Sequence, residues 1–324
     1  MNHHHNTQTI KRRRFLKDAA FIGTTALAGT TLLRSLTHAT DDSQSTTQST
    51  TESPIDLAII ETTNNYDGTI AAVERLGGIK KFVQRGSRVG LLVNSRFDKQ
   101  GTYVKPEIAL AVIAMCHNAG AKEIVSLEDV SSSYWRKATL TKELREYTET
   151  LVSPSRGETT LAIKDGKSLK EAEIARDLLE CDVYINLPII KDHVGTQFTG
   201  AMKNVMGATS GSTNRYFHHG SGASGYYDDV EFLSRCIAEV NLLRKPTLCI
   251  ADVTEVVITN GPFGPGRIAR PRKIIAGADM VAVDAYGSTL LNLNPTDVLT
   301  IRYGAELGLG RTDIENLSVH TSKI

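Results

Sequence analysis

Beyond residue 54 the chain alternates short apolar runs with stretches in which apolar positions recur every three or four residues. The first pattern marks strands buried on both faces, and the second marks helices packed by one face. Ile55-Asp56-Leu57-Ala58-Ile59-Ile60 reads as a strand. Asp67 then stands where it can cap a helix carrying Ile70, Ala71, Val73 and Leu76, which Gly77 and Gly78 end. Arg88 to Asn94 is a second strand, a helix from about Lys105 to Asn118 follows with Gly120 as its stop, and Glu123 to Leu127 is the next strand. This succession is a strand–helix–strand unit of a parallel sheet. Residues 133–152 are helical in pattern but polar, as an insertion would be. Further strands are expected at Ala162-Ile163, Val183 to Leu187, Thr247 to Ile250 and Lys273 to Ala276, with helices at about 171–180, 229–244, 279–291 and 296–307. The expected class is α/β: a layered, mostly parallel sheet flanked by helices, as one large domain or two lobes spanning 54–324.

The first 53 residues follow neither pattern. Lys11-Arg12-Arg13-Arg14-Phe15-Leu16-Lys17 precedes a moderately apolar stretch broken by Gly23 and Gly29, and Thr37-His38-Ala39 supplies a small residue for cleavage. These are the three parts of a signal peptide, and Arg12-Arg13 with Phe15, Leu16 and Lys17 match the twin-arginine subtype. The stretch falls short of the ~20 strongly apolar residues of a spanning helix, so no stable membrane anchor is expected once residues 1–39 are removed. The bland alternative is a basic amphipathic helix lying on a membrane. Residues 40–53 are a polar tether with nothing to bury. The export machinery is thus the first expected partner, and the periplasm or another exported location the expected destination.

Processing changes the charge. The whole chain carries 37 basic and 36 acidic residues, a net of +1. Residues 1–39 hold six of those bases and one acid, so 31 bases and 35 acids remain, a net of −4. A mildly acidic body argues against nucleic acid as a partner. The four cysteines, Cys116, Cys181, Cys236 and Cys249, form no C-x-x-C pair, which removes the usual iron–sulfur and zinc-ribbon spacings. Each lies in an apolar context and reads as a buried thiol, although export leaves three pairings open.

Chemistry concentrates between Asn186 and Gly207, where a buried strand leaves the sheet. Lys191 and His193 are two apart and share a side in extended backbone. Thr199-Gly200 opens a helix that carries Lys203 and Asn204 on its first turn, with Gly207 at a close packing point. Two lysines, a histidine and a helix start suit a phosphate or carboxylate. The competing reading is a surface loop with solvated lysines. A Gly/Ser-rich segment from Gly207 to Gly225 has the composition of a loop over a site. His218 and His219 within it raise the question of a divalent metal, with His193 and His218 as ligands and Asp192, Asp228, Asp229 or Asp252 completing the set. Asp252 and Glu255 end a strand, and Gly261 to Gly266 is a turn cluster able to wall a pocket. Asp279 reads as a helix cap, whereas Asp284 lies inside an apolar helix and needs a partner such as Lys191 or Lys203. No G-x-S-x-G, P-loop or strand-linked G-x-G-x-x-G occurs.

These residues carry a resemblance. Asn186-Leu187-Pro188 to Lys191-Asp192-His193, Thr199 to Gly207, Ile250-Ala251-Asp252, Gly277 to Ala285 and Ala305 to Gly310 resemble the DUF362 family, with Val93-Asn94 and Gly120-Ala121-Lys122 at its first strand–helix–strand unit. The resemblance covers most of 55–324 and implies a site without fixing a reaction. Some relatives add ferredoxin-type cysteine clusters. This chain has none, so an iron–sulfur cluster is not implied. Two functions of different class remain open. One is an exported enzyme, metal-assisted or not, in which His193, Lys203, Asp252 and Asp284 are catalytic and Asn94, Lys191, Asn204 and Gly207 hold a small anionic substrate or cofactor. The other is a non-catalytic ligand-binding or accessory protein using the same pocket.

Overall fold

A computed structural model describes residues 54–138, 141–220 and 229–324. The signal peptide and tether expected over 1–53 lie outside the described residues, as does the end of the Gly/Ser-rich segment, within 221–228. The strands are β1 (Leu57–Glu61), β2 (Arg88–Val93), β3 (Glu123–Ser126), β4 (Leu151–Val152), β5 (Glu158–Ala162), β6 (Glu171–Ala175), β7 (Val183–Leu187), β8 (Lys191–His193), β9 (Gln197–Thr199), β10 (Leu248–Val253), β11 (Val256–Val257), β12 (Ile268–Ala269), β13 (Lys273–Gly277) and β14 (Val319–Lys323). The helices are α1 (Asn65–Arg75), α2 (Pro106–Ala119), α3 (Ser132–Trp135), α4 (Lys142–Thr148), α5 (Arg176–Glu180), α6 (Ala201–Asn204), α7 (Gly211–His219), α8 (Val230–Val240), α9 (Met280–Thr289) and α10 (Leu299–Glu306).

Eight strands form the main sheet in the order β14-β1-β13-β10-β7-β2-β3-β4. β13 runs antiparallel to both its neighbours, and the other pairings are parallel. The central strands β7 and β10 are buried along their whole length, as continuous apolar runs require when helices cover both faces. One group of helices packs α1 against α2 and α2 against α4, and a second packs α6, α8, α9 and α10 together. Residues Glu52–Ile324 form one unit. All four cysteines are buried and free, and burial pushes the thiols of Cys116 and Cys236 up to about 12.

Several local expectations change. Asn64, not Asp67, caps α1: its side chain accepts the Asp67 N–H at 3.2 Å. Residues 171–175, expected as helix, are strand β6, paired antiparallel with β5 in register Glu158↔Ala175 to Ala162↔Glu171. Glu171 faces solvent while Ala172 and Ile174 face inward, a period of two that the helix-favouring composition concealed. The polar stretch 133–152 breaks into α3, α4 and the edge strand β4. Downstream of Gly207 the chain forms α7 before the glycine-rich run. β14 was not anticipated; it is an edge strand of mixed exposure beside β1.

Candidate functional site

From β2 the chain moves to β3 on one side of the sheet, whereas from β7 it moves to β10 on the other. The winding direction therefore reverses between β2 and β7, and open α/β sheets place ligands outside the carboxyl ends of strands at such a point. A cavity of about 330 Å³ opens there. Asn94 follows β2, Glu128 follows β3, Lys191 and His193 belong to β8, and Lys203, Asn204 and Gly207 come from α6 and the turn after it. Thr199, Arg96, Phe97, Met206, His218, Pro262 and Phe263 are also on its wall. The volume is at the lower end of the range for small-molecule sites.

Three asparagines fix the frame. Asn94 Nδ2 donates to Asn204 Oδ1 at 2.9 Å, Asn204 Nδ2 to Asn186 Oδ1 at 2.7 Å, and Asn186 Nδ2 to the Ala201 carbonyl at 2.8 Å. The final acceptor is a carbonyl, which cannot donate, so it sets the orientation of every amide in the row. Asn94 and Asn204, 110 residues apart, are thereby tied across the carboxyl edge of β2. Asn94 Oδ1 and Thr199 Oγ1 are closed off from solvent and have no hydrogen-bond partner among the described residues.

The basic groups lie next to this frame. Lys191 is 0% exposed; its Nζ donates to the Thr102 carbonyl at 2.6 Å and sits 4.3 Å from the centre of the Phe97 ring. Among the described residues no carboxylate pairs with it. Burial, aided by repulsion from Lys203, pulls its amine down to about 7. Lys203 is half-buried, with Nζ 3.2 Å from Met206 Sδ. His193 Nδ1 accepts the N–H groups of Gly195 at 2.9 Å and Thr196 at 3.2 Å. Two donors on Nδ1 leave the ring proton on Nε2. Burial first, then the charge of Lys203, push this imidazole down to about 2, so it is neutral and can only donate through Nε2.

That tautomer does not favour His193 as a metal ligand. A neutral imidazole ligates through its unprotonated nitrogen, and in His193 that nitrogen is taken by two backbone N–H groups. No cluster of three or more His, Cys, Asp or Glu able to hold a metal occurs among the described residues. Asp192, a candidate third ligand, accepts the Gly261 N–H at 2.8 Å, and Asp229 caps α8; Asp228 lies outside the described residues.

Two expected catalytic acids are placed elsewhere. Asp252 is fully buried, and its oxygens accept Lys105 N–H at 2.8 Å, Thr254 N–H at 2.8 Å and the Thr254 hydroxyl at 2.7 Å, which ties the start of α2 to the end of β10. Asp284 accepts Ala201 N–H at 2.5 Å and Met202 N–H at 2.9 Å, capping α6 from α9. Its partners are backbone amides, not lysines. Burial raises its carboxyl to about 7 against the pull of those two amides. Gly200 is required here, because a Cβ would collide with the Asp284 carboxylate. Neither acid lines the cavity.

The acid that does line it was missed. Glu128 follows β3, and burial raises its carboxyl to about 7, with Arg96 opposing the rise. Its side chain packs on Gly207, where a Cβ would strike the carboxylate. A carboxylate at a strand's carboxyl end was the signal that had singled out Asp252, and Leu127-Glu128-Asp129 carries it too.

Known proteins similar to this chain narrow its kinship and leave its chemistry open. A curated relative, the thylakoid-associated protein sll1697 of Synechocystis sp. (strain ATCC 27184 / PCC 6803 / Kazusa), is 26% identical over 256 residues, covering 75% of each chain. Among solved structures, the lactate racemase apoprotein from Thermoanaerobacterium thermosaccharolyticum aligns with 73% of this chain at 14% identity and a TM-score of 0.45. A protein from Thermotoga maritima aligns with 75% at 13% identity and a TM-score of 0.38. The chain spans 57% and 58% of the length of these two, and at such scores neither carries an argument about function. The profile of the domain of unknown function DUF362 matches residues 89–289, which include the cavity residues from Asn94 to Phe263. The chain belongs to the DUF362 family.

Proposed function

We propose that this chain is an exported enzyme acting on a small anionic ligand held at the β2–β7 switch point. The observation that carries the reading is Lys191, a fully buried amine with a second lysine beside it and, among the described residues, no carboxylate paired to it. Buried charges need a counter-charge, and an anion entering the cavity supplies one. Lys203 neutralises the ligand, the Nε2–H of His193 donates to one of its oxygens, and Asn94, Thr199 and Asn204 frame it. Glu128 and Lys191 both titrate near neutrality, a feature typical of sites that move protons at physiological pH. No step in this reading uses a metal.

A non-catalytic binding protein would use the same cavity, with an anion as the counter-charge of Lys191 and no proton moved to the ligand. Export rests on Arg12-Arg13-x-Phe15-Leu16-Lys17 alone. The test of the binding reading is titration of the full chain with inorganic phosphate and with acetate. A charge-assisted contact contributes about 1.5–3 kcal/mol, so Lys203→Ala should weaken binding roughly tenfold or more while thermal stability barely moves. Unchanged binding with lowered stability would make the lysine structural and refute the reading.

A further inference from the structure

The cavity has a second face that charge neutralisation does not use. Among the described residues, the two most exposed large apolar side chains are Val194 at 79% and Phe263 at 57%. Both stand on the wall of this one cavity, with Phe97, Met206 and Pro262 beside them. Scattered exposed apolar side chains are ordinary, but two gathered at the mouth of a basic cavity are a patch with a place. The patch is also built. Val194 N–H donates to the Gly261 carbonyl at 3.0 Å, and Asp192 accepts the Gly261 N–H at 2.8 Å. The end of β8 is thereby fastened to the loop carrying Pro262 and Phe263. Phe263 meets Phe97 edge to face, with ring centres 5.2 Å apart, and Phe97 in turn covers the Lys191 amine. The wall therefore passes from the Lys203 cation and the neutral His193 donor to apolar at Phe97, Phe263 and Val194 within a single small-molecule volume.

We propose that the ligand is an amphiphilic anion, with its charged head at Lys203 and the His193 Nε2–H and an aliphatic or aromatic body laid against Phe97, Phe263 and Val194. This rests on the anion reading above and adds the class of ligand to it. A small, fully hydrophilic anion would leave the aromatic rim in water and gain nothing from it. A neutral apolar ligand would leave the buried Lys191 amine without a counter-charge. Only a molecule with both parts answers both walls.

The test compares matched heads with and without a tail: acetate against octanoate, and phosphate against octyl phosphate, each below its micelle concentration, titrated calorimetrically into the full chain. Each methylene moved out of water strengthens binding about fourfold, so partial seating of the tail should give a gain of roughly tenfold to a hundredfold. Phe263→Ala should remove most of that gain, read as the ratio of long-anion to short-anion affinity within the variant. Val152→Ser, which alters an exposed apolar residue that does not line the cavity, should leave that ratio unchanged. Equal affinity for short and long anions, or a gain that survives Phe263→Ala, would overturn the amphiphile proposal while leaving the anion reading to stand on Lys203→Ala. No binding of any of the four would overturn both.

Discussion

Asp284 shows how one carboxylate can be read as chemistry and turn out to be architecture. It sits inside α9, faces the core and accepts two backbone N–H groups at the start of α6. Replacing it with asparagine keeps the shape but turns one acceptor into a donor aimed at an N–H. Asp284→Asn is therefore expected to destabilise the protein by about 1–3 kcal/mol in urea unfolding while the affinity for phosphate stays near wild type. A large loss of affinity at unchanged stability would return Asp284 to the site. Lys191 has the opposite character. Its folded-state pKa, about 7, lies below the 10.5 of a free lysine, so the unfolded chain binds more protons between those values. The penalty for burying the charge is full below pH 7 and is relieved as pH rises. Wild type should thus gain up to a few kcal/mol relative to Lys191→Met between pH 7 and 9 in paired unfolding experiments. A constant difference across that window would show that the amine does not titrate there.

At the scale of elements, much of the sheet was legible because its strands are apolar runs of the right length: β1, β2, β3, β7, β10 and β13 all stand within a few residues of where the pattern put them. What failed were short or half-exposed elements. β6 has the composition of a helix, and only its partner β5, which no local signal could supply, makes it a strand. The site was legible in the same partial way. Lys191 and His193 lie on one strand two residues apart, and that spacing sufficed to place them on one side. Glu128 and Asn186 join them only through tertiary structure: one is brought over by the parallel pairing of β3 with β2, and the other by the row of amides ending at the Ala201 carbonyl. Asp252 stands out by its place at a strand's carboxyl end, and Asp284 by lying inside an apolar helix. The sequence could not reveal that backbone amides, and not the lysines, would satisfy them. The amide row gives its own prediction. Asn204→Leu removes the link between Asn94 and Asn186 and strands a buried donor and a buried acceptor. It should cost about 2–4 kcal/mol in unfolding free energy, more than Asn94→Ala, which breaks only the outermost bond.

For the whole molecule, the question is where it works and on what. The twin-arginine motif predicts that replacing Arg12 and Arg13 with lysine holds the full-length chain in the cytoplasmic fraction, whereas the native motif delivers it across the membrane. Equal export of both would remove the motif from the account. Inside the folded unit, an anion entering the cavity would become the counter-charge of Lys191. Binding must then raise the affinity of the amine for its proton. The most direct measurement is calorimetric titration of phosphate at pH 8 in two buffers of different ionisation enthalpy, for wild type and Lys191→Met. Wild type should take up protons on binding, and Lys191→Met sharply fewer. Binding with no proton uptake, or with the same uptake in both proteins, would contradict the anion's role as that counter-charge.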